Sequence, residues 1–392
     1  MLIALSTLTI LLTLGYCFLL WQLSRGLFFL KTGQNEQKFQ VSVVVAARNE
    51  QATIGACLSS LVNQSYSSDC YEIIVINDRS NDRTAEIVRE FMQENSQIKL
   101  IEVRELPTGI SPKKHALELG IRAARGEIIL TTDADCAPHS GWIEGMVRYF
   151  EPEVGLVAGF SPIEPRDRNT LFSQLLKLDS LSLAAVAAGS FGLNKPLTCN
   201  GRNLGYRKET FNSVAGFKQI QHLVSGDDDL FLHLVTRQTN WSVRYSIDRT
   251  TTVITRPPQG WRQFANQRIR HASKGRHYSL QLKALLISIY LLNLCLLAWL
   301  PVSCFYSNFL WLPFVCWLAK SLAEFQLIYR FAAILDDRRA LTIFPLAMIL
   351  HIPYVVIFGL WGQLGKFSWK EERFKATTDR SFNCSGSDDK DQ

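Results

Sequence analysis

"GEIILTTDADC", residues 126–136, carries an apolar, β-branched run straight into two carboxylates, Asp133 and Asp135, one residue apart. The run has the composition of a buried strand, and the acids stand where that strand ends. Like charges this close repel, so the pair is costly unless something cationic sits beside it. The stretch holds no basic residue, which leaves the pair unneutralised by its own neighbours and makes a metal ion the natural candidate.

Working outward, "VSVVVAARNE" (41–50), "YEIIVINDRSNDRT" (71–84) and "IKLIEVRE" (98–105) read as three further buried strands. Between them, "QATIGACLSSLVNQ" (51–64), "AEIVREFMQE" (85–94) and "SPKKHALELGIRAA" (111–124) have helical spacing. The last opens with Ser111 at the N-cap position and Pro112 at the first helical position. Strands alternating with helices of this length imply right-handed β-α-β units, hence an α/β fold with a mostly parallel sheet flanked by helices. Open parallel sheets bind ligands at the carboxyl ends of their strands, so Asp78, Asp133 and Asp135 are expected on one crevice. The turn "AARNEQATIG" lacks G-x-G-x-x-G, and no G-x-x-x-x-G-K-[ST] occurs. Those absences exclude a dinucleotide fingerprint and a P-loop. An acidic crevice suits Mn²⁺ or Mg²⁺ bridging a diphosphate, because such cations take few protein carboxylates and complete their shell with phosphate oxygens.

The remainder of the 392 residues is apolar in blocks. Met1 to Ser24, Ala284 to Tyr306 and Ala340 to Gly365 carry no formal charge, and each is long enough to span a bilayer. A fourth stretch, 307–335, is interrupted by Lys320, Glu324 and Arg330. The expected organisation is an uncleaved N-terminal anchor (1–24), a domain at 38–255 and a basic amphipathic interfacial region (256–283). About three C-terminal membrane segments (284–365) and a disordered tail (376–392) complete it. Arg25 and Lys31 follow the anchor, which places the domain in the cytoplasm by the positive-inside rule. By the same rule, three full spans would leave the basic segment 366–375 outside, so one apolar stretch is expected to lie in the interface or re-enter. Nine scattered cysteines without a C-x-x-C pair speak against zinc and against a disulfide framework.

The ordered set "VVVAARNE", "VINDRSNDRT", "TTDAD", "SGDDDLFL" and "QRIRH" resembles membrane-bound glycosyltransferases of family 2, of the cellulose- and hyaluronan-synthase-like branch. The similarity spans about residues 40–275. It implies a GT-A fold and an inverting, metal-dependent transfer from a nucleotide-diphospho-sugar, with a UDP-sugar expected. The acceptor would be lipid-linked or a saccharide, at the cytoplasmic face of a bacterial inner membrane. Carried over position by position, Ala47, Arg48, Glu50 and Asp78 would line the nucleotide pocket. Asp133 would contact ribose or metal, Asp135 would ligate the metal, and Lys113, Gln267 and Arg270 would hold the donor. Asp228, with Asp227 second, would be the base that deprotonates the acceptor. Asn200, Gly201 and His271 would shape the acceptor side, although His271 stands where the family carries tryptophan, which speaks against a long glucan and against processivity. Helix capping alone would account for one or two acids of "GDDD".

Residues 256–283 hold seven basic residues and no acid, matching the whole chain's formal charge of +7. That run fits a helix on anionic lipid. Without a base-stacking platform it does not fit nucleic acid. The rival functions are a nucleotidyltransferase and a non-catalytic membrane scaffold or export partner that keeps the fold.

Overall fold

The computed structural model describes residues 2–164, 170–258, 260–306, 311–364, 366–369 and 372–375. The tail expected at 376–392 lies outside the described residues. After α1 (Leu2–Gly26), the chain alternates β1 (Val41–Ala47), α2 (Ile54–Val62), β2 (Tyr71–Asp78), α3 (Thr84–Glu94), β3 (Ile98–Val103), α4 (Pro112–Ala123) and β4 (Ile128–Asp133). Then come β5 (Cys136–Pro138), α5 (Trp142–Val147), β6 (Val154–Ala158) and the long α6 (Leu171–Gly192). β7 (Leu204–Arg207), α7 (Lys208–Ser213), α8 (Asp229–Gln238), β8 (Ser242–Tyr245) and β9 (Val253–Thr255) complete the domain. The C-terminal part comprises α9 (Trp261–Ser273), α10 (Leu280–Phe305), α11 (Trp311–Ile334), α12 (Phe344–Leu364), β10 (Lys366–Trp369) and β11 (Glu372–Lys375).

One seven-stranded sheet has the order β3-β2-β1-β4-β7-β6-β8. β3, β2, β1 and β4 run parallel, β7 is antiparallel to both its neighbours, and β6 and β8 are again parallel. The fold is therefore the mostly parallel α/β sheet that the alternation requires. Because successive side chains point to opposite faces, the apolar strands feed two cores. Val43, Val45, Ile73, Val75 and Leu130 pack with α2 and α5 on one face. Val44, Ile74, Ile76 and Ile129 pack on the other, in a core that continues through α4 and α6 to Leu23 of α1 and Phe331 of α11. The domain and the apolar helices thus share one core.

Among the described residues, four helical stretches are long and apolar enough to cross a membrane: Leu2–Phe29, Leu171–Gly192, Leu280–Val302 and Arg339–Leu364. The second, α6, is not among the stretches singled out in the sequence, because Lys177 and Asp179 break its apolar run. It joins the sheet to α1 through a backbone crossing in which a Cβ on Gly192 would lie 1.9 Å from the Gly26 carbonyl oxygen. No side chain fits there without parting the two helices. Gly192→Val should therefore destabilise the protein by more than the ~1–3 kcal/mol of ordinary overpacking, read as a lowered thermal midpoint in detergent.

The interrupted stretch is α11, and its charged residues are answered inside the bundle. Lys320 contacts Glu324 at 2.8 Å and His351 Nδ1 at 3.0 Å, Tyr16 donates to Glu324 at 2.8 Å, and Arg330 donates to Ser24 at 2.9 Å. Helix α12 has both ends on the domain's side. The turn before it packs on α6, while Gln363 at its far end meets Arg276 and Ala272, and β10 rests against α9. A cysteine introduced in segment 372–375 should react with an impermeant maleimide from the same membrane side as one in the domain. Reaction from the opposite side would mean that α12 spans.

Candidate active site

The crevice begins with three neighbouring parallel strands that end together. Ala47 is in register with Asn77, and Ala46 with Asp133, so the turns after β1, β2 and β4 line one edge where the strand order reverses. Asn49 and Arg79 each adopt a positive φ of 53° as those turns fold over the strand ends. Asn49 N–H donates to Ser80 Oγ at 3.0 Å, and Asn81 N–H to Asn49 Oδ1 at 2.9 Å, which ties the first two turns together. Ala47, Arg48 and Glu50 stand on the first turn, Glu50 with its backbone N–H on Thr84 Oγ1 at 2.8 Å. Asp78 is buried and paired with Arg79 at 2.8 Å.

Asp133 is not unneutralised, which corrects the reading of its own stretch. Lys113 Nζ lies 2.9 Å from Asp133 Oδ1 and also 2.9 Å from Asp227 Oδ2. Arg202 Nε approaches the second oxygen of Asp133 at 3.7 Å. Burial opposes the charged forms here, but the paired charges outweigh it: Asp133 is held below the usual carboxylate range and Lys113 above the usual amine range. The lysine at the start of α4 therefore joins the strand-end acid to the loop before α8. Ser111, expected as a capping side chain, directs its hydroxyl to Val224 O at 3.4 Å instead.

The three acids of "GDDD" separate by role. Gly226, at φ +92°, makes a left-handed turn that ordinary side chains resist, and it turns Asp227 toward Lys113. Asp228 caps α8, its Oδ1 accepting from Asp229 N–H at 2.8 Å, and pairs with Lys274 at 3.0 Å. Lys274 holds its carboxyl well below the usual range against the effect of burial. Asp229 is buried, contacts Lys274 at 3.3 Å and accepts from Tyr278 OH at 2.5 Å. Burial raises its carboxyl to about 6, with Lys274 opposing and the charge of Asp228 adding to the rise. Behind the loop, fully buried Lys114 donates to the carbonyls of Leu223 at 2.6 Å and Ser225 at 2.8 Å. Burial lowers its ammonium to about 8. Lys114, the neighbour of Lys113 and a second lysine that the resemblance suggests for the donor, instead braces the loop from behind. Arg202, Lys274, Tyr278 and Asp229 also line the site, although the sequence reading assigns them no role there.

Asn200 and Gly201 form the turn facing this loop. Gly201 N–H points at Asp228 Oδ2 at 3.4 Å, and Asn200 Oδ1 accepts from Arg202 N–H at 3.1 Å. Helix α9 closes the crevice. Arg270 lies near enough to interact with Asp227 and Asp133, Gln267 is half-buried one turn before it, and His271 is kept neutral by burial and by Lys274, Arg270 and Arg268. The basic run is thus largely turned inward rather than onto lipid. Arg268 pairs with Asp179 of α6, Lys274 with Asp228 and Asp229, and Arg276 with Gln363.

Among the described residues no three His, Cys, Asp or Glu side chains form a metal cage. Asp135 is half-buried beside Asp133; its Oδ1 accepts from Cys136 Sγ–H at 3.4 Å, and among the described residues it forms no ion pair. One such carboxylate fits a hard cation that draws its other ligands from a diphosphate and water.

The family model for glycosyl transferase family 2 matches residues 42–213, the stretch that builds the crevice from β1 through β7. Residues 42–213 are a glycosyl transferase family 2 domain. The chain is 28% identical over 250 residues, 61% of its own length, to the probable glycosyltransferase YdaM of Bacillus subtilis. It is 36% identical over 118 residues, 30% of its length, to a beta-monoglucosyldiacylglycerol synthase of Trichormus variabilis. These matches span 56% and 25% of the two relatives. The fold is similar to that of a mannosyltransferase of Pyrobaculum calidifontis, solved in complex with GDP-Man and Mn²⁺. That likeness has a TM-score of 0.59 at 21% identity and covers 91% of this chain and 99% of that one.

Proposed function

We propose that the protein is an inverting, metal-dependent glycosyltransferase that moves a sugar from a nucleotide-diphospho-sugar to an acceptor hydroxyl at the cytoplasmic face of a membrane. The observation that carries this reading is the single Lys113 ammonium held at 2.9 Å from both Asp133 and Asp227. It brings the acid at the end of β4 and the loop before α8 to opposite sides of one crevice. In this reading the nucleotide lies over Ala47–Glu50 and Asp78, and its diphosphate meets Lys113, Arg202 and Arg270. Asp135 would hold Mn²⁺ or Mg²⁺, with Asp133 as the second candidate, and the bound cation would neutralise charge on the departing diphosphate.

Asp227 is the base. It takes the proton of the acceptor hydroxyl while that oxygen attacks the anomeric carbon from the side opposite the diphosphate. The bond to the diphosphate breaks as the new glycosidic bond forms, inverting the configuration. The sequence places Asp228 ahead of Asp227 for this part; the reverse order is favoured because Asp228 is engaged in capping α8, whereas Asp227 makes no cap and its partner, Lys113, is the lysine that also holds Asp133 in the crevice. Asn200, Gly201 and His271 face the acceptor side. The complexed neighbour and the glycolipid-synthase relative are consistent with a nucleotide-sugar donor and a membrane-associated acceptor.

The test is binding of UDP and GDP to the detergent-solubilised chain, by calorimetry, with Mn²⁺ or with EDTA. Nucleotide binding that needs the cation and is lost in Asp135→Asn is the expected result. Metal-independent binding, unchanged in that variant, would remove the metal from the reading. No nucleotide binding at all would leave the scaffold in its place.

A further inference from the structure

Resting on the transferase reading, we propose that the acceptor is a hydroxyl-bearing membrane lipid, admitted to Asp227 from the bilayer along the contact of α9 with α12 and α6. One helix separates the crevice from the apolar side of the molecule. Arg270 of α9 lies near Asp227 and Asp133, while Phe264 and Ile269 of the same helix sit in an apolar cluster with Leu176 of α6 and Phe358 of α12. An α-helix with its side chains is only ~10–12 Å across, so a lipid seated at that interface keeps its chain in hydrocarbon while its hydroxyl reaches the acids.

The cluster also touches the base loop directly. Val224, three residues before Asp227, packs against it. On the outer side it ends in two exposed indoles: Trp261 is 60% and Trp361 47% exposed, with ring centroids 6.0 Å from Phe358 in both cases. Exposed tryptophans beside apolar helices mark the depth of the headgroups, which is where a lipid hydroxyl resides. Apolar side chains in contact therefore run without a break from headgroup depth to the loop that carries the base.

The alternative acceptor, a saccharide chain threaded across the membrane, needs a polar route between the helices. Among the described residues the bundle is filled instead. Leu292, Leu296 and Trp299 of α10 pack with Leu312 and Cys316 of α11 against α1, and Lys320 is fully buried on Glu324.

The experiment reconstitutes the full chain in phosphatidylcholine nanodiscs with alkyne-tagged photoprobes. A diacylglycerol and a polyprenol carry a diazirine beside the hydroxyl, and a control phosphatidylcholine carries it in the headgroup. Labelled peptides are mapped by mass spectrometry, and UDP and GDP binding with Mn²⁺ is read on the same discs. Labelling of segment 223–228 by a hydroxyl-bearing probe and not by the control is expected, with loss of that labelling in Trp261→Glu. The exposed position of Trp261 keeps this variant folded, and retained nucleotide binding verifies it. Nucleotide binding with all probes confined to α1 and α10 overturns the lipid acceptor and leaves the transferase standing. So does protection of segment 223–228 by a soluble oligosaccharide in place of lipid. Failure of nucleotide binding overturns the transferase reading itself.

Discussion

Asp227→Asn should lower transfer by roughly 10²–10⁴-fold, the span expected for loss of a general base, with nucleotide binding in the presence of Mn²⁺ retained. An amide keeps the shape of the side chain and can still meet Lys113, but it accepts no proton. Asp228→Asn should act differently, because its carboxylate caps α8 and pairs with Lys274. Removing the capping acid costs ~1 kcal/mol of helix stability, and the loss of charge loosens Lys274 from the loop. The thermal midpoint should fall and turnover should drop less than in Asp227→Asn. Initial rates of nucleoside-diphosphate release, with unfolding midpoints for the same preparations, compare the two. If Asp228→Asn is folded and slower than Asp227→Asn, the assignment of the base reverses.

The largest stability effect is expected at Arg268. This guanidinium is buried, pairs with Asp179 across the α6–α9 contact and lies 5.0 Å over the Phe264 ring. Burial works against its charge, but Asp179 outweighs it and holds the group above its usual range. Arg268→Met leaves Asp179, itself 27% exposed, without its partner near the apolar cluster, and breaking a fully buried pair from one side costs ~3–5 kcal/mol, the upper bound for this half-buried one. Because Gln267 and Arg270 flank it on the same helix, α9 should shift as well, weakening nucleotide binding. The double variant Arg268→Met with Asp179→Leu should recover much of the midpoint, since both charges are then gone. A single variant as stable as the parent would mean that the pair contributes nothing to docking α9.

How far the sequence alone reaches follows from which features are local. β1 to β4 were legible because apolar runs and helical spacing lie within a few residues of one another, and the rules of parallel connection then place Asp78, Asp133 and Asp135 on one edge. The ordered motifs extend that to the acids of "GDDD". Ion pairs are a different matter, because they join residues distant in the chain. Nothing around residues 126–136 announces Lys113, and nothing in "GDDD" tells Asp227, turned by Gly226 to the crevice, from Asp228, turned to Lys274. Composition likewise counted the positive charges of 256–283 without saying that Arg268, Lys274 and Arg276 face inward. It also passed over α6, whose charged interruptions are satisfied only against α9 and the turn after α11. By itself the sequence determined an α/β domain with an acidic crevice beside apolar helices, because periodicity and strand-end position are properties of the chain. Which acid pairs with which cation, only the tertiary structure decided, because electrostatic partnership depends on distance in space.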